Sequence, residues 1–177
     1  MTRIPAHYDV AQVCLNGHMI NDTYQSRPEF SKRFCPLCGA KTITACPACE
    51  EPIQGAVQSQ FSMRGSRYLN RPPTLQTMTS RASVPIYCHN CGKRFPWTAE
   101  RIAAAQALAE ELDELSAAEK LLLQSSIDDL VSDTPKTTVA VARFKKLMSK
   151  TGRQAAEGFK SVLIDVVTEV VKKQLWP

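Results

Sequence analysis

Residues 35–49, CPLCGAKTITACPAC, contain two Cys-x-x-Cys pairs separated by seven residues, and CHNCG (88–92) adds a third pair. This spacing is typical of a zinc knuckle, a tight turn that directs two thiolates at one metal ion. The residue after the second cysteine often has a positive φ angle, where glycine is least strained. Gly39 and Gly92 fit that position. Glu50 does not, so the middle turn is either strained by about 1 kcal/mol or shaped differently.

A fourth ligand pair is predicted outside these three motifs. Three pairs provide six ligands, whereas two tetrahedral zinc sites need eight. The remaining cysteine lies in VCLNGHMI (13–20), four residues before a histidine, and the glycine between them fits a sharp turn. We therefore predict two zinc ions per chain. The predicted ligands are Cys14, His18, Cys35, Cys38, Cys46, Cys49, Cys88 and Cys91.

The order in which the pairs combine is open at this level. Consecutive pairs could share an ion, giving two tandem zinc ribbons, or the first and third pairs could share one in a cross-brace. Only seven residues separate Cys38 from Cys46, and short connections usually join neighbouring units, so we favour tandem ribbons.

Other uses of the cysteines fit less well. No early segment resembles a secretory signal, which predicts a cytoplasmic protein whose cysteines bind metal rather than form disulfides. A redox role for one pair and iron in the all-cysteine site stay open. His89 lies inside a knuckle and could compete as a ligand, whereas His7 fits an ordinary surface residue. The apolar run VLIDVVTEVV (162–171) contains two acidic residues, so no transmembrane segment is predicted.

The distribution of charge divides the chain into segments. The net charge is +5, made up of +6 in residues 1–97, −6 in 98–132 and +5 in 133–177. The composition shifts at the same places. We predict a small α+β protein. Tandem zinc ribbons of short β-hairpins and knuckles occupy residues 1–97, and an α-helical region of about four helices occupies residues 98–177.

Residues 54–84 form a long insert within the second predicted ribbon. The segment is polar and has few apolar anchors, which predicts a surface loop. The alternative is a contact loop whose arginines and aromatic rings bind nucleic acid or an acidic protein surface. The candidate contact residues are Arg64, Arg67, Tyr68 and Arg71.

Capping patterns predict where the helices begin. Thr98 is the expected N-cap of the first helix. The sequence SAAE (116–119) forms a capping box for a second helix over residues 117–131. Thr134 and Pro135 fit the N-cap and first position of a third helix.

A wide apolar stripe predicts one last helix over residues 153–175. The stripe could be the inner face of a small helical bundle. Alternatively, this helix could bind a partner's groove, self-associate or lie on a membrane surface, for which Lys172, Lys173 and Trp176 are suited.

Four strings extend the pattern beyond the cysteines: YDVAQVCLNGH (8–18), TITACPAC (42–49), CHNCGKRFPWT (88–98) and LVSDTP (130–135). They resemble a bacterial zinc-ribbon family known only as a domain of unknown function. The resemblance covers most of the chain and is weakest over residues 54–84. It implies that the seven cysteines and His18 are ligands, and it brings no activity or substrate.

These observations predict a non-enzymatic protein. Eight ligands saturate two ions, and the sequence shows no Ser/His/Asp set, phosphate-binding glycine loop or paired acids. We predict a protein-interaction or adaptor module with structural zinc and an unidentified protein partner. A nucleic-acid-binding zinc-ribbon protein is the alternative.

Overall fold

The computed structural model describes residues 7–63, 74–80 and 82–176. The chain divides into two compact units, with the boundary between Trp97 and Thr98. Short antiparallel strands form the first unit, and helices form the second. The predicted small α+β class is confirmed.

The described part of the first unit contains two three-stranded antiparallel sheets. The strands are β1 (His7–Val10), β2 (Gln12–Cys14), β3 (Met19–Asn21), β4 (Thr42–Ile43), β5 (Gln54–Met63) and β6 (Thr74–Ser80). One sheet has the order β3-β2-β4 and the other β1-β5-β6. A single 3-10 turn, Pro28–Phe30, follows β3. The strand β2 thus brings Cys14 to the centre of the first sheet.

The prediction of a surface loop over residues 54–84 is wrong for β5 and β6. These strands pair in register from Val57 opposite Ser80 to Met63 opposite Thr74. Their composition is polar, but strands pair through backbone hydrogen bonds whatever the polarity of their side chains. A polar segment therefore does not exclude a strand.

Among the described residues, the first unit has a small hydrophobic core cluster. Its buried members are Ala11, Val13, Cys46, Ile53, Cys88, Phe95 and Trp97. The rings of Phe95 and Trp97 are stacked with centroids 4.6 Å apart, and Trp97 Nε1 donates to the Pro85 carbonyl at 2.8 Å. Because two of the seven members are predicted metal ligands, the core and the second cluster of ligands are one structure.

Five helices follow in the described residues, one more than the approximate number predicted. They are α1 (Pro96–Glu110), α2 (Ala117–Val131), α3 (Thr137–Met148), α4 (Arg153–Leu163) and α5 (Glu169–Leu175). The bounds of α2 and its capping box are confirmed. Phe144 of α3 lies edge-on against Phe159 of α4, with ring centroids 5.5 Å apart. No described helix is both long enough and apolar enough to cross a bilayer.

Two predicted helix starts are wrong. The first helix begins at Pro96, the first-turn position that proline favours, and Thr98 is buried inside it rather than capping it. The third helix begins at Thr137. Thr134 and Pro135 lie in the preceding turn, where the Thr137 hydroxyl accepts from the Thr134 N–H at 3.0 Å.

The predicted helix over residues 153–175 is divided into α4 and α5. Arg101 Nη1 donates to the Val162 carbonyl at 3.1 Å, an acceptor that a continuous helix would offer to the N–H of Val166. The Val166 N–H instead donates to the Leu163 carbonyl at 3.0 Å. Thr168 then caps α5, because its hydroxyl accepts from the Val171 N–H.

The apolar stripe of the last two helices mainly forms the core of the helical unit. Phe159, Leu163, Val166, Val167 and Val171 are each at most 3% exposed. This confirms the bundle interpretation for these residues. Two of the three residues suited to a membrane surface have contacts within the unit: Trp176 lies edge-on against Phe144, and Lys172 pairs with Glu169.

The capping box of α2 predicts a pH-dependent stability. The pKa of Glu119 is lowered from 4.5 to about 2. The hydrogen bond with Lys150 is the largest cause, and hydrogen bonds with Ser116 add to it. A carboxylate with a lowered pKa stabilises the fold above its unfolded pKa, and the effect is lost as the pH falls through the folded value. We expect Glu119→Gln to lower the melting temperature at pH 7, as followed by helical circular dichroism.

The difference between the variant and the parent should shrink from about pH 4.5 downward and vanish below about pH 2. Glu114→Gln removes an exposed carboxylate of the same acidic segment and serves as the control for charge alone. A difference for Glu119→Gln that is equal at pH 7 and pH 2 would contradict this account.

Candidate metal centres

The eight predicted ligands come together as two groups of four. In each group the nitrogen or sulfur ligand atoms all lie within 4.8 Å of one another. The first centre consists of Cys14, His18, Cys35 and Cys38, and the second consists of Cys46, Cys49, Cys88 and Cys91. This is the consecutive grouping, so the tandem arrangement is confirmed and the cross-brace is excluded.

The three Cys-x-x-Cys turns share one backbone pattern. In the first knuckle, the Gly39 N–H donates to the Cys35 carbonyl at 2.8 Å, and the Cys35 N–H donates to the Ala40 carbonyl at 2.8 Å. The other two knuckles repeat both bonds, through Glu50 and Gly92, with lengths of 2.8 or 2.9 Å. The same short turn therefore orients cysteine sulfurs at three places in the fold.

The fourth pair uses a different turn, between β2 and β3. The Cys14 N–H donates to the His18 carbonyl at 3.0 Å, and the His18 N–H donates to Cys14 Sγ at 3.2 Å. Gly17 has a φ of 83°, and a Cβ there would lie 3.0 Å from Cβ of Trp97. Both the backbone angle and the close tryptophan therefore require glycine at this position.

The distances between ligand atoms match a tetrahedral ion. Bonds of about 2.3 Å to sulfur and 2.0 Å to nitrogen place two sulfurs about 3.8 Å apart and a sulfur and a nitrogen about 3.5 Å apart. Cys14 Sγ is 3.8 Å from Cys38 Sγ and 3.5 Å from His18 Nδ1. In the second centre the sulfur separations are 3.8 Å (Cys46–Cys91) and 3.7 Å (Cys49–Cys88). A disulfide would need about 2.05 Å.

The two centres also have the same pattern of burial. In each, the first and third ligands are buried, the second is half-buried and the fourth is exposed. Cys38 and Cys91 are the exposed ligands. Both centres are thus anchored in the protein on one side and reach the surface on the other.

In the metal-free chain, two thiols of the second centre differ strongly in pKa. Hydrogen bonds from the backbone of Cys91 and Asn90 lower the pKa of Cys88 to about 6. A backbone hydrogen bond from Lys93 lowers the pKa of Cys91, but desolvation and the neighbouring sulfurs outweigh it and raise the pKa to about 11. A metal ion must displace the protons that remain, so its binding weakens as the pH falls.

The other histidines lie outside the centres. His89 is 43% exposed, and its Nε2 lies 3.5 Å from Glu51 Oε1. His7 is exposed on β1. Neither residue belongs to a described group of ligand atoms. The candidate contact residues Arg64, Arg67, Tyr68 and Arg71 lie outside the described residues.

Two buried amides near the first centre were not predicted. Gln12 and Asn21 are 7% and 5% exposed, and both bond the backbone of the segment that leads to Cys35. The available signal was their place in the sequence, just before Cys14 and just after His18, where buried polar residues need partners. Asn21 makes one local bond, accepting from the Thr23 N–H at 2.9 Å, but the backbone carbonyls to which the two amides donate lie 6 and 20 residues away and follow no local pattern.

Glu50 has a φ of 62°, so the middle knuckle is the strained alternative considered above. We expect Glu50→Gly to stabilise the metal-loaded first unit by up to about 1 kcal/mol, because glycine adopts this angle without strain. Gly39→Ala is the opposite change and serves as the control, because it adds a side chain where φ is positive. Its Cβ would meet nothing within 4 Å, so it should destabilise by about 1 kcal/mol through the backbone angle alone. Chemical denaturation measures both, and a destabilising Glu50→Gly would contradict this account.

The fourth ligand pair predicts a difference between two histidines. His18→Ala should lower the bound metal from two ions to one per chain and unfold the first ribbon, because the first centre loses a ligand. His89→Ala should retain both ions, since His89 lies outside the centre. Elemental analysis of the purified variants checks this. A His18→Ala variant with two ions and an unchanged melting temperature would show that His18 is not a ligand.

Comparison with known proteins identifies the family but no activity. A family of uncharacterised proteins conserved in bacteria (DUF2321) matches residues 7–175, which cover most of both units. Comparisons with curated proteins and with solved structures gave no match. The resemblance to a bacterial family of unknown function is confirmed, and the cysteine clusters support its zinc-ribbon character. The chain belongs to this family of uncharacterised proteins conserved in bacteria.

Proposed function

We propose that this chain is a non-enzymatic zinc-binding protein whose first unit, shaped by two structural zinc ions, is a protein-interaction module. The observation that carries the proposal is the geometry of the two centres. Each places four nitrogen or sulfur atoms at the spacing of a tetrahedral ion. An ion with four protein ligands has no position left for a substrate or a reactive water. The metal therefore serves architecture.

Zinc suits both ligand sets. Three cysteines with one histidine, and four cysteines, are both common tetrahedral zinc sets, whereas copper(II) and nickel(II) favour square-planar arrangements. Iron fits the all-cysteine centre by distance alone. The shared spacing and burial of the two centres favour one metal for both, and the mixed centre favours zinc.

The first unit needs the metal for its stability. Among the described residues, its hydrophobic core cluster has seven buried members, two of which are ligands of the second centre. Small cores rarely stabilise a fold alone, and structural zinc can contribute roughly 10 kcal/mol or more in apparent binding free energy. Folding and metal binding are thus one process in this unit.

Ligation also changes the electrostatics of the chain. Seven thiolates add −7 and two zinc ions add +4, so the net charge falls from +5 to about +2. The basic sequence therefore overstates any general attraction to nucleic acid. The lower charge favours a protein partner over nucleic acid bound by electrostatic attraction alone.

The perturbed carboxylates outside the centres support a structural rather than a catalytic interpretation. Burial alone would raise the pKa of Asp9, but hydrogen bonds from Ser26, Gln25 and Val10 outweigh burial and hold this pKa below its usual value. The lowered pKa values of Glu119 and Glu169 arise chiefly from Lys150 and Lys172. Each lowered pKa has its cause in hydrogen bonds or an ion pair that fix a loop or a helix end, and such shifts are also produced by structural ion pairs.

A second candidate is binding of single-stranded nucleic acid. The segment between β5 and β6 in the sequence contains Arg64, Arg67 and Arg71 beside Tyr68. Arginines track phosphates, and an aromatic ring stacks on a base. An affinity that falls steeply with salt and depends on these arginines distinguishes this candidate.

Cobalt(II) substitution tests whether the centres are saturated, because its visible absorption reports coordination geometry. We expect the cobalt-loaded chain to show four-coordinate spectra that do not change when azide or imidazole is added. All four positions at each ion are occupied by the protein, so no added ligand can bind.

His18→Ala provides the positive control, since it is expected to lose the ion of the first centre and to leave the second intact. Added imidazole should supply the missing ligand and restore cobalt absorption at the first centre. A parent spectrum that responds to azide would reveal an exchangeable position and contradict the structural role.

A further inference from the structure

The segment that leads into the first knuckle and through it exposes three large apolar side chains. Leu37 is 77% exposed, and Phe30 and Phe34 are each 55% exposed. All three lie within residues 30–37, which lead into the first metal centre and through its knuckle. We name these three side chains, with Lys32 and Arg33 between them, the Phe30–Leu37 surface.

The knuckle fold does not require these apolar side chains. The position between the two cysteines that Leu37 occupies is Ala48 in the second knuckle and Asn90 in the third, on the same backbone pattern. The residue before the first cysteine is Phe34, Ala45 and Tyr87 in turn. Alanine and asparagine therefore serve the Leu37 position equally well, so the exposed leucine needs another explanation.

Buried amides fix the backbone of this segment. The Gln12 side chain donates to the Lys32 carbonyl and accepts from the Lys32 N–H, both at 3.0 Å. Asn21 Nδ2 donates to the Arg27 carbonyl at 2.8 Å and to Ser31 Oγ at 3.2 Å. A surface segment with a fixed backbone loses little conformational entropy when it binds.

The charge around the surface is positive. Residues 23–41 contain four basic residues and one acidic residue, a net charge of +3. Three thiolates and one zinc ion contribute −1 at the first centre, which leaves about +2. The Arg33 guanidinium carbon lies 5.7 Å from the centroid of the Phe34 ring. Basic and apolar groups are thus presented together.

We propose that the Phe30–Leu37 surface binds a segment of a partner protein in which acidic side chains stand beside large apolar ones. The inference rests on the proposed function, since the first zinc ion fixes the knuckle that presents Leu37. Acidic groups of the partner pair with Lys32 and Arg33, and its apolar groups cover the two phenylalanines and Leu37. Charge complementarity sets the partner's chemistry, and the fixed backbone keeps the surface ready to bind.

The test is an NMR titration of the zinc-loaded full chain with a short peptide that alternates aspartate or glutamate with leucine or phenylalanine. We expect the amide signals of residues 30–37 to shift. A matched peptide with lysine in place of the acids should leave them unchanged. Leu37→Asn should weaken binding about tenfold or more, because a leucine side chain is no longer buried. Asn90 occupies the same position in the third knuckle, so the variant should fold.

Leu121→Asn is the control, because Leu121 is 65% exposed on α2 in the helical unit, and it should bind the peptide as the parent does. The proposal is overturned if the sample contains two zinc ions but the amide signals of residues 30–37 do not shift. It is also overturned if the lysine peptide binds equally well. Either result leaves the proposed function intact. Fewer than two ions would mark a failure of the proposed function itself. Concentration-dependent shifts of the same signals without peptide would identify a second copy as the occupant instead. Shifts with an RNA oligonucleotide that survive Leu37→Asn would identify nucleic acid.

Discussion

The gathering of four ligand residues at each candidate metal centre is the constraint on which the first unit depends. Cys49 and Cys88 are separated by 38 residues, yet their sulfurs lie 3.7 Å apart. Closing a loop of that length costs entropy that a small core cannot offset. A metal ion bound by both residues joins the two ends directly. The strands β5 and β6 lie within this loop, and β1, outside the loop, completes their sheet.

The two centres have different consequences for the surface around them. Cys46 and Cys88 of the second centre belong to the buried core, beside Phe95 and Trp97. Around the first centre, the buried amides of Gln12 and Asn21 fix the backbone outside the knuckle and leave Leu37 exposed. The unit therefore has one centre that completes a core and one that supports a presented surface. This division gives the repeated knuckle two uses in one chain.

Short-range patterns predicted well where one local rule decides the structure. Cysteine spacing and the number of ligands a metal needs pointed to both groups of four, and the capping box gave the start of α2. Most errors arose where distant residues decide. The Val162 carbonyl at the end of α4 accepts from Arg101, 61 residues away, and the Gln12 side chain donates to the Lys32 carbonyl, 20 residues away. Neither interaction leaves a local signal. Residues 57–63 are different, because Val57, Phe61 and Met63 stand at alternate positions, a strand pattern that the polar composition obscured.

The most direct measurement is the number of zinc ions bound per folded chain, determined by native mass spectrometry together with elemental analysis of the purified protein. The account predicts two zinc ions, released only when the first unit unfolds. One ion, none, or a different metal in both centres would contradict it. Loss of both ions without loss of the first unit's structure would contradict it equally, because the metal would then not be what holds that unit together.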